Sequence, residues 1–273
     1  MKETAFTSVL IFLFTLPNII SAQEQIVIPS PYLKTNDTIL VFTPQTPYQE
    51  QRFPVLYLLH GWSGDYGNWS TRVALQEVCN KYGFRIVCPD GFYNSWYVDS
   101  SDPQGMQWRQ FFDKELYPTL QERYYTVADS CFITGLSMGG HGALNIFIDD
   151  PDRFRAAGSM SGVMDLSQTS LSNSEVSKVL GPFTMENPRF YEESVIHRVE
   201  KLQGGQKLML ISCGYDDVYS AHSEELAQKC RKLNIPHVLL LTPGNHSWKY
   251  WEFALDMHLT LFSKILKGEP LGY

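Results

Sequence analysis

Eight short apolar runs alternating with longer segments of helical spacing constrain this chain more tightly than any other feature. The runs are Ile26–Ile28, Thr38–Phe42, Val55–His60, Phe84–Cys88, Cys131–Thr134, Ala156–Met160, Lys207–Ser212 and His237–Leu241. They are bounded by Gly, Pro, Asp or Asn, as strands are. From Val55 onward they are almost continuously apolar, which suits parallel strands buried on both faces. Helical spacing falls between them, over Trp69–Tyr82, Gly105–Tyr124, Met138–Ile148, Ala221–Leu233 and Trp248–Leu266. A strand followed by a helix, repeated, builds βαβ units. The expected fold class is α/β: eight strands in a mostly parallel sheet with helices on both faces. No internal repeat or Pro/Ser-rich linker interrupts the pattern, so residues 23–273 are expected to form one domain.

Composition narrows the classes of function. The 273 residues are 44% hydrophobic and 19% charged, too apolar for an intrinsically disordered chain. A formal charge of −7 argues against a nucleic-acid partner, whose binders carry a basic footprint. At the N-terminus Lys2 precedes the apolar run Val9–Leu16, which Pro17 and Asn18 break before the small residues Ser21 and Ala22. That order predicts a signal peptide over residues 1–22, cleaved after Ala22, with the product secreted or periplasmic. A membrane-spanning helix needs about 20 mainly apolar residues, so no stable membrane insertion is expected. The five cysteines (Cys79, Cys88, Cys131, Cys213, Cys230) have neither a disulfide-framework nor a zinc-ligand spacing. Cys88, Cys131 and Cys213 sit inside apolar runs, and the thiols are expected to be buried and free.

In a parallel sheet, reactive groups collect outside the carboxyl ends of the strands. After the fifth run comes Gly135-Leu136-Ser137-Met138-Gly139, a G-x-S-x-G pattern between a strand and a helix. This is the context of a nucleophile elbow, a turn sharp enough to require glycine two positions either side of the Ser. The hydroxyl is then presented at a helix N-terminus, where the dipole favours developing negative charge. Such a Ser needs a base, and the base needs an acid to orient it. Of seven histidines, His246 alone lies in a loop directly after a late strand, in Pro243-Gly244-Asn245-His246-Ser247. His222 and His258 occupy helical positions, His237 begins a strand, and His60 and His141 are read as structural. By position the acid is Asp216 or Asp217, after the seventh run, or Asp165, after the sixth. Oxyanion donors should be the backbone N–H of Met138 and one from the loop His60–Gly64.

The segments VLYLLHG (Val55–Gly61), NSWY (Asn94–Tyr97), GLSMGGHG (Gly135–Gly142), CGYDD (Cys213–Asp217) and PGNHSWKYW (Pro243–Trp251) occur in order from about Thr38 to Phe262. In these the chain resembles a family of α/β-hydrolase esterases. That family includes esterase D (S-formylglutathione hydrolase), tributyrin-type esterases, the feruloyl and acetylxylan esterases of carbohydrate esterase family one, and mycolyltransferases. The resemblance implies the α/β-hydrolase fold and a triad of Ser137, His246 and Asp217. It also implies oxyanion amides at Trp62 and Met138, with no metal or organic cofactor. Unlike the mycolyltransferases, the chain has His60 where they carry an acid before the Gly, and Asp rather than Glu as triad acid. Hydrolysis is therefore expected over acyl transfer to sugar. The expected partner is a small-molecule or polysaccharide-linked ester, with Trp96 and Trp248 as aromatic substrate contacts. The long insertion Val163–Gly205 is expected to shape acyl selectivity.

Overall fold

A computed structural model describes residues 23–45 and 52–271. The signal peptide expected over residues 1–22 lies outside the described residues. The strands are β1 (Gln23–Ser30), β2 (Thr35–Phe42), β3 (Val55–Leu59), β4 (Arg85–Cys88), β5 (Cys131–Gly135), β6 (Ala156–Met160), β7 (Leu208–Gly214) and β8 (His237–Thr242). They form one eight-stranded sheet in the order β1-β2-β4-β3-β5-β6-β7-β8. The pairs from β4 through β8 are parallel, whereas β1, β2 and β4 pair antiparallel. This is the expected α/β-hydrolase architecture. The exchange of β3 and β4 in space carries no local signature in the chain.

The near-continuous apolar runs have a direct cause. In β3, Val55, Tyr57 and Leu59 join the core on one face of the sheet, while Leu56 and Leu58 join the core on the other. Met209 and Ile211 against Leu210 repeat the division in β7. With both faces covered, neither set of alternating positions is left for polar residues, and each fully buried aliphatic side chain contributes about 1.5–3 kcal/mol. At the sheet edge β1 alternates exposed and half-buried residues instead.

The helices are α1 (Leu75–Tyr82), α2 (Trp108–Phe111), α3 (Tyr117–Tyr124), α4 (Met138–Asp149), α5 (Ser177–Leu180), α6 (Arg189–Glu192), α7 (Val195–Arg198), α8 (Ser220–Lys232) and α9 (Trp248–Lys267). Residues of α1 and α9 supply one core, and residues of α2 to α8 supply the other. Two expected helices differ from their sequence reading. The segment from Trp69 becomes helical only at Leu75. Before that, Ser70 and Thr71 hydroxyls donate to the carbonyls of Gly67 and Asn68, and the Trp69 indole donates to the Leu59 carbonyl. Such side-chain bonds compete with the helical ladder. The segment from Gly105 starts its helix at Trp108 and passes through a π-helical stretch, Phe112–Leu116, that joins α2 to α3. The insertion between β6 and β7 folds into the short helices α5, α6 and α7 rather than a bare loop. All five cysteines are free and buried.

Candidate active site

The turn from β5 into α4 places Ser137 at φ 52°, ψ −115°, a left-handed backbone that non-glycine residues seldom adopt. The structure holds it there by closeness: a Cβ on Gly139 would meet the His60 carbonyl oxygen at 2.5 Å and the Leu59 oxygen at 2.6 Å. Both are backbone atoms that cannot yield, so the elbow lies against the end of β3. The Ser137 N–H donates to the Met160 carbonyl at 2.9 Å, anchoring the turn to β6. The side chain therefore stands at the carboxyl edge of the sheet, at the start of α4.

β8 runs into a turn that leads His246 back across the sheet edge. Its Nε2 lies 3.0 Å from Ser137 Oγ. Its Nδ1 lies 3.0 Å from each oxygen of Asp217. With Nδ1–H donating to the carboxylate, Nε2 is left to accept the Ser137 hydroxyl proton. Asp217 is buried, and its Oδ1 also accepts the Tyr219 N–H at 2.9 Å. Burial disfavours the charged carboxylate. The hydrogen bonds from His246 and from the Tyr219 amide outweigh burial, so the carboxyl is held below its usual range. Asp216, its neighbour, points into solvent. Asp165 is engaged elsewhere: its Oδ1 accepts from Ser167, its Oδ2 accepts from Gln168, and His197 Nε2 lies 3.2 Å from the same Oδ2.

Two backbone amides remain to be placed. Among the described residues neither Met138 N–H nor Trp62 N–H donates to another backbone or side-chain acceptor. Met138 opens α4, where the first amides have no partner within the helix. Trp62 belongs to the loop after β3, and a Cβ on Gly61 in that loop would stand only 3.6 Å from Ser137 Cβ. Both amides thus flank the nucleophile candidate. His60 is buried with its ring fully used: Nδ1 meets the Gly61 carbonyl at 2.8 Å and Nε2 accepts the Gly91 N–H at 2.8 Å. His141 is buried too, bonded to the Glu193 carbonyl, and desolvation lowers its pKa to about 4. Neither is placed to act as base.

The aromatic expectations need correction. Trp96 has no exposed surface. Its indole donates to Asn94 at 2.9 Å and its ring packs edge-on against His141, so it is a core residue and not a substrate contact. Trp248 is half-buried between the rings of Trp69 and Trp251, with the Arg72 guanidinium over its face. It reaches His246 only through Trp251, whose ring centroid is 4.9 Å from the imidazole. The other ring on His246 is Tyr219, at 5.2 Å. Sequence reasoning passed over Tyr219; its one signal is its position two residues beyond the acid. Trp62 is packed edge-to-face with Tyr93 at 5.3 Å on the rim beside the elbow.

A strand–elbow–helix Ser, a late-loop His and a buried acid on this sheet define a serine hydrolase of the α/β-hydrolase fold. The chain belongs to the family described as "Putative esterase", whose model matches residues 30–262. An acetyl esterase of Caldicellulosiruptor saccharolyticus is 24% identical over 262 residues, covering 86% of this chain and 96% of the relative. A diacylglycerol acyltransferase/mycolyltransferase, Ag85A, of Mycobacterium bovis is 27% identical over 255 residues, covering 80% of this chain and 75% of the relative. Among solved structures, a ferulic acid esterase superposes with a TM-score of 0.75 at 25% identity, covering 89% of this chain and 98% of that one. By family the protein is an esterase, and its fold is that of the α/β-hydrolases. Among the described residues, no helix is long and apolar enough to cross a membrane.

Proposed function

We propose that the protein is a secreted or periplasmic serine esterase that hydrolyses acyl esters, feruloyl or acetyl, carried on plant polysaccharides. One observation carries the reading: a single imidazole lies 3.0 Å from the Ser137 hydroxyl on one side and 3.0 Å from the Asp217 carboxylate on the other. The relatives named for acetyl and ferulic esters support the ester class. The basic-apolar-small order before Gln23 supports export.

The chemistry follows from the geometry. Ser137 Oγ attacks the ester carbonyl as His246 Nε2 takes its proton. Asp217 fixes the imidazole tautomer and stabilises the imidazolium. The amides of Met138 and Trp62 receive the oxyanion, a contribution worth about 3–4 kcal/mol per donor in known enzymes. His246 returns the proton to the leaving alcohol, the C–O bond breaks and an acyl-Ser137 ester remains. Water, deprotonated by the same His246, then releases the acid. If an alcohol replaces water in this second half, the site becomes an acyltransferase. Similarity to Ag85A keeps that second reading in view.

A panel of feruloyl, acetyl and butyryl esters, assayed with and without a sugar acceptor, tests the substrate class and the choice between water and alcohol. Labelling by a fluorophosphonate, present in the wild type and absent in Ser137→Ala, tests the nucleophile. Loss of Ser137 should lower turnover by several orders of magnitude. Substantial hydrolysis by the variant would overturn the assignment.

A further inference from the structure

The imidazole of His246 is fixed at two points, Ser137 and Asp217, and two points leave a flat ring free to tilt about the line joining them. Two aromatic rings pack on it edge-on. Trp251 comes from the body of α9, which is firmly in the core. Tyr219 differs, because it lies just ahead of α8 and is held at three separate places. Its N–H donates to Asp217 Oδ1 at 2.9 Å, and its ring meets His246 at 5.2 Å with an interplanar angle of 72°. Its hydroxyl is hydrogen-bonded to Thr169 Oγ1 at 3.1 Å.

Thr169 belongs to the insertion between β6 and β7 and is itself buried. It is not a loose partner. Its carbonyl accepts from both the amide and the hydroxyl of Ser172, at 3.1 and 2.9 Å. Its Oγ1 also accepts the Leu171 N–H at 3.3 Å. A hydrogen-bonded turn of the insertion thus holds the far end of the tyrosine whose near end touches both His246 and Asp217.

We infer that Tyr219 is a positioning residue through which the insertion sets the tilt of the His246 imidazole. The inference rests on the esterase reading above and goes beyond it, since it makes the insertion part of the proton-transfer machinery. A ring that merely filled space would need no hydroxyl, and phenylalanine would serve as well. Here the hydroxyl is tied to the insertion, a segment that is neither sheet nor long helix.

The test compares Tyr219→Phe, Thr169→Val and the double variant. For each, kcat and KM on p-nitrophenyl acetate are measured, with the rate at which a fluorophosphonate labels Ser137. Each single variant should lower kcat and the labelling rate by about two- to tenfold, the range expected for one hydrogen bond, with KM unchanged. The double variant should lose no more than the larger single loss, because the two side chains form one contact. Thr169→Ser, which keeps the hydroxyl, should recover most of the rate. Wild-type kcat and labelling in Tyr219→Phe, additive losses in the double variant, or a change confined to KM would overturn the inference. Absence of labelling in the wild type would instead overturn the esterase reading, so the two failures are distinguishable.

Discussion

His258 makes a strong prediction about acid stability. It lies on α9 against three adjacent strands, β5, β6 and β7, with no exposed surface. Its Nδ1 is 3.0 Å from Thr134 Oγ1 in β5, and its Nε2 is 2.9 Å from Ser212 Oγ in β7. Between those strands, β6 leaves room by presenting Gly158, where a Cβ would stand 2.5 Å from the ring. No carboxylate compensates a charge there, and desolvation lowers the pKa to about 3. The unfolded chain, by contrast, takes up its proton near the ordinary value of about 6.5. Stability contributed by this group is therefore intact above about pH 6.5 and is lost as the pH falls, because only the unfolded state gains the proton. At pH 5 the native ring is neutral while a free histidine is almost wholly charged, which costs about 2 kcal/mol, and the cost grows as the pH falls further.

The comparison is with His258→Gln, which cannot titrate. At pH 7 the variant should be the less stable protein, having lost a ring that bonds two strands at once. Between pH 7 and pH 5 the gap should close by about 2 kcal/mol. Urea unfolding followed by tryptophan fluorescence at the two pH values measures it. Other groups shift too: burial pushes the Asp37 carboxyl up, which acts in the opposite sense over this range. Those groups are common to both proteins and cancel in the difference. A gap that is the same at pH 5 as at pH 7 would refute the reasoning, since it would mean that His258 is protonated in the native state.

Asp217→Asn should lower kcat by about three to four orders of magnitude through loss of the correct imidazole tautomer. Asp216→Asn, exposed and off the triad, should stay within about twofold of wild type in the same steady-state assay. Gly139→Ala drives a methyl onto two carbonyl oxygens of the β3 terminus, and denaturant titration should find a loss on the order of 3 kcal/mol. Trp96→Ala should cost about 3–5 kcal/mol of stability, yet leave the relative rates across the ester panel unchanged, because the side chain is sealed in the core.

Much of this molecule can be read along the chain because the relevant physics is local. An apolar run of strand length followed by helical spacing states that an element exists and is buried on both faces. All eight strands are legible as apolar runs, although β1 at the sheet edge alternates exposed and half-buried residues and β8 is only half-buried. Gly135-Leu136-Ser137-Met138-Gly139 is legible too, since the glycines answer a steric demand within a few residues of the Ser. His246 emerges by elimination, as the one histidine in a loop after a late strand.

Other features depend on what arrives from elsewhere in the fold. Asp216 and Asp217 are chemically identical neighbours. Only the turn after Gly214, which buries one and exposes the other, points a carboxylate at the imidazole. Trp96 and Trp251 have the same side chain near the same rim, yet the first is covered by α4 and the second touches the base. Tyr219 owes its place to a threonine fifty residues earlier, brought near by the folding of the insertion. Periodicity records which residues avoid water, because solvent acts on each position separately. Which neighbour does the covering is a property of the assembled sheet, and it is the assembled sheet that decides which carboxylate lies beside His246, which rings pack on its imidazole and which side chain meets the Tyr219 hydroxyl.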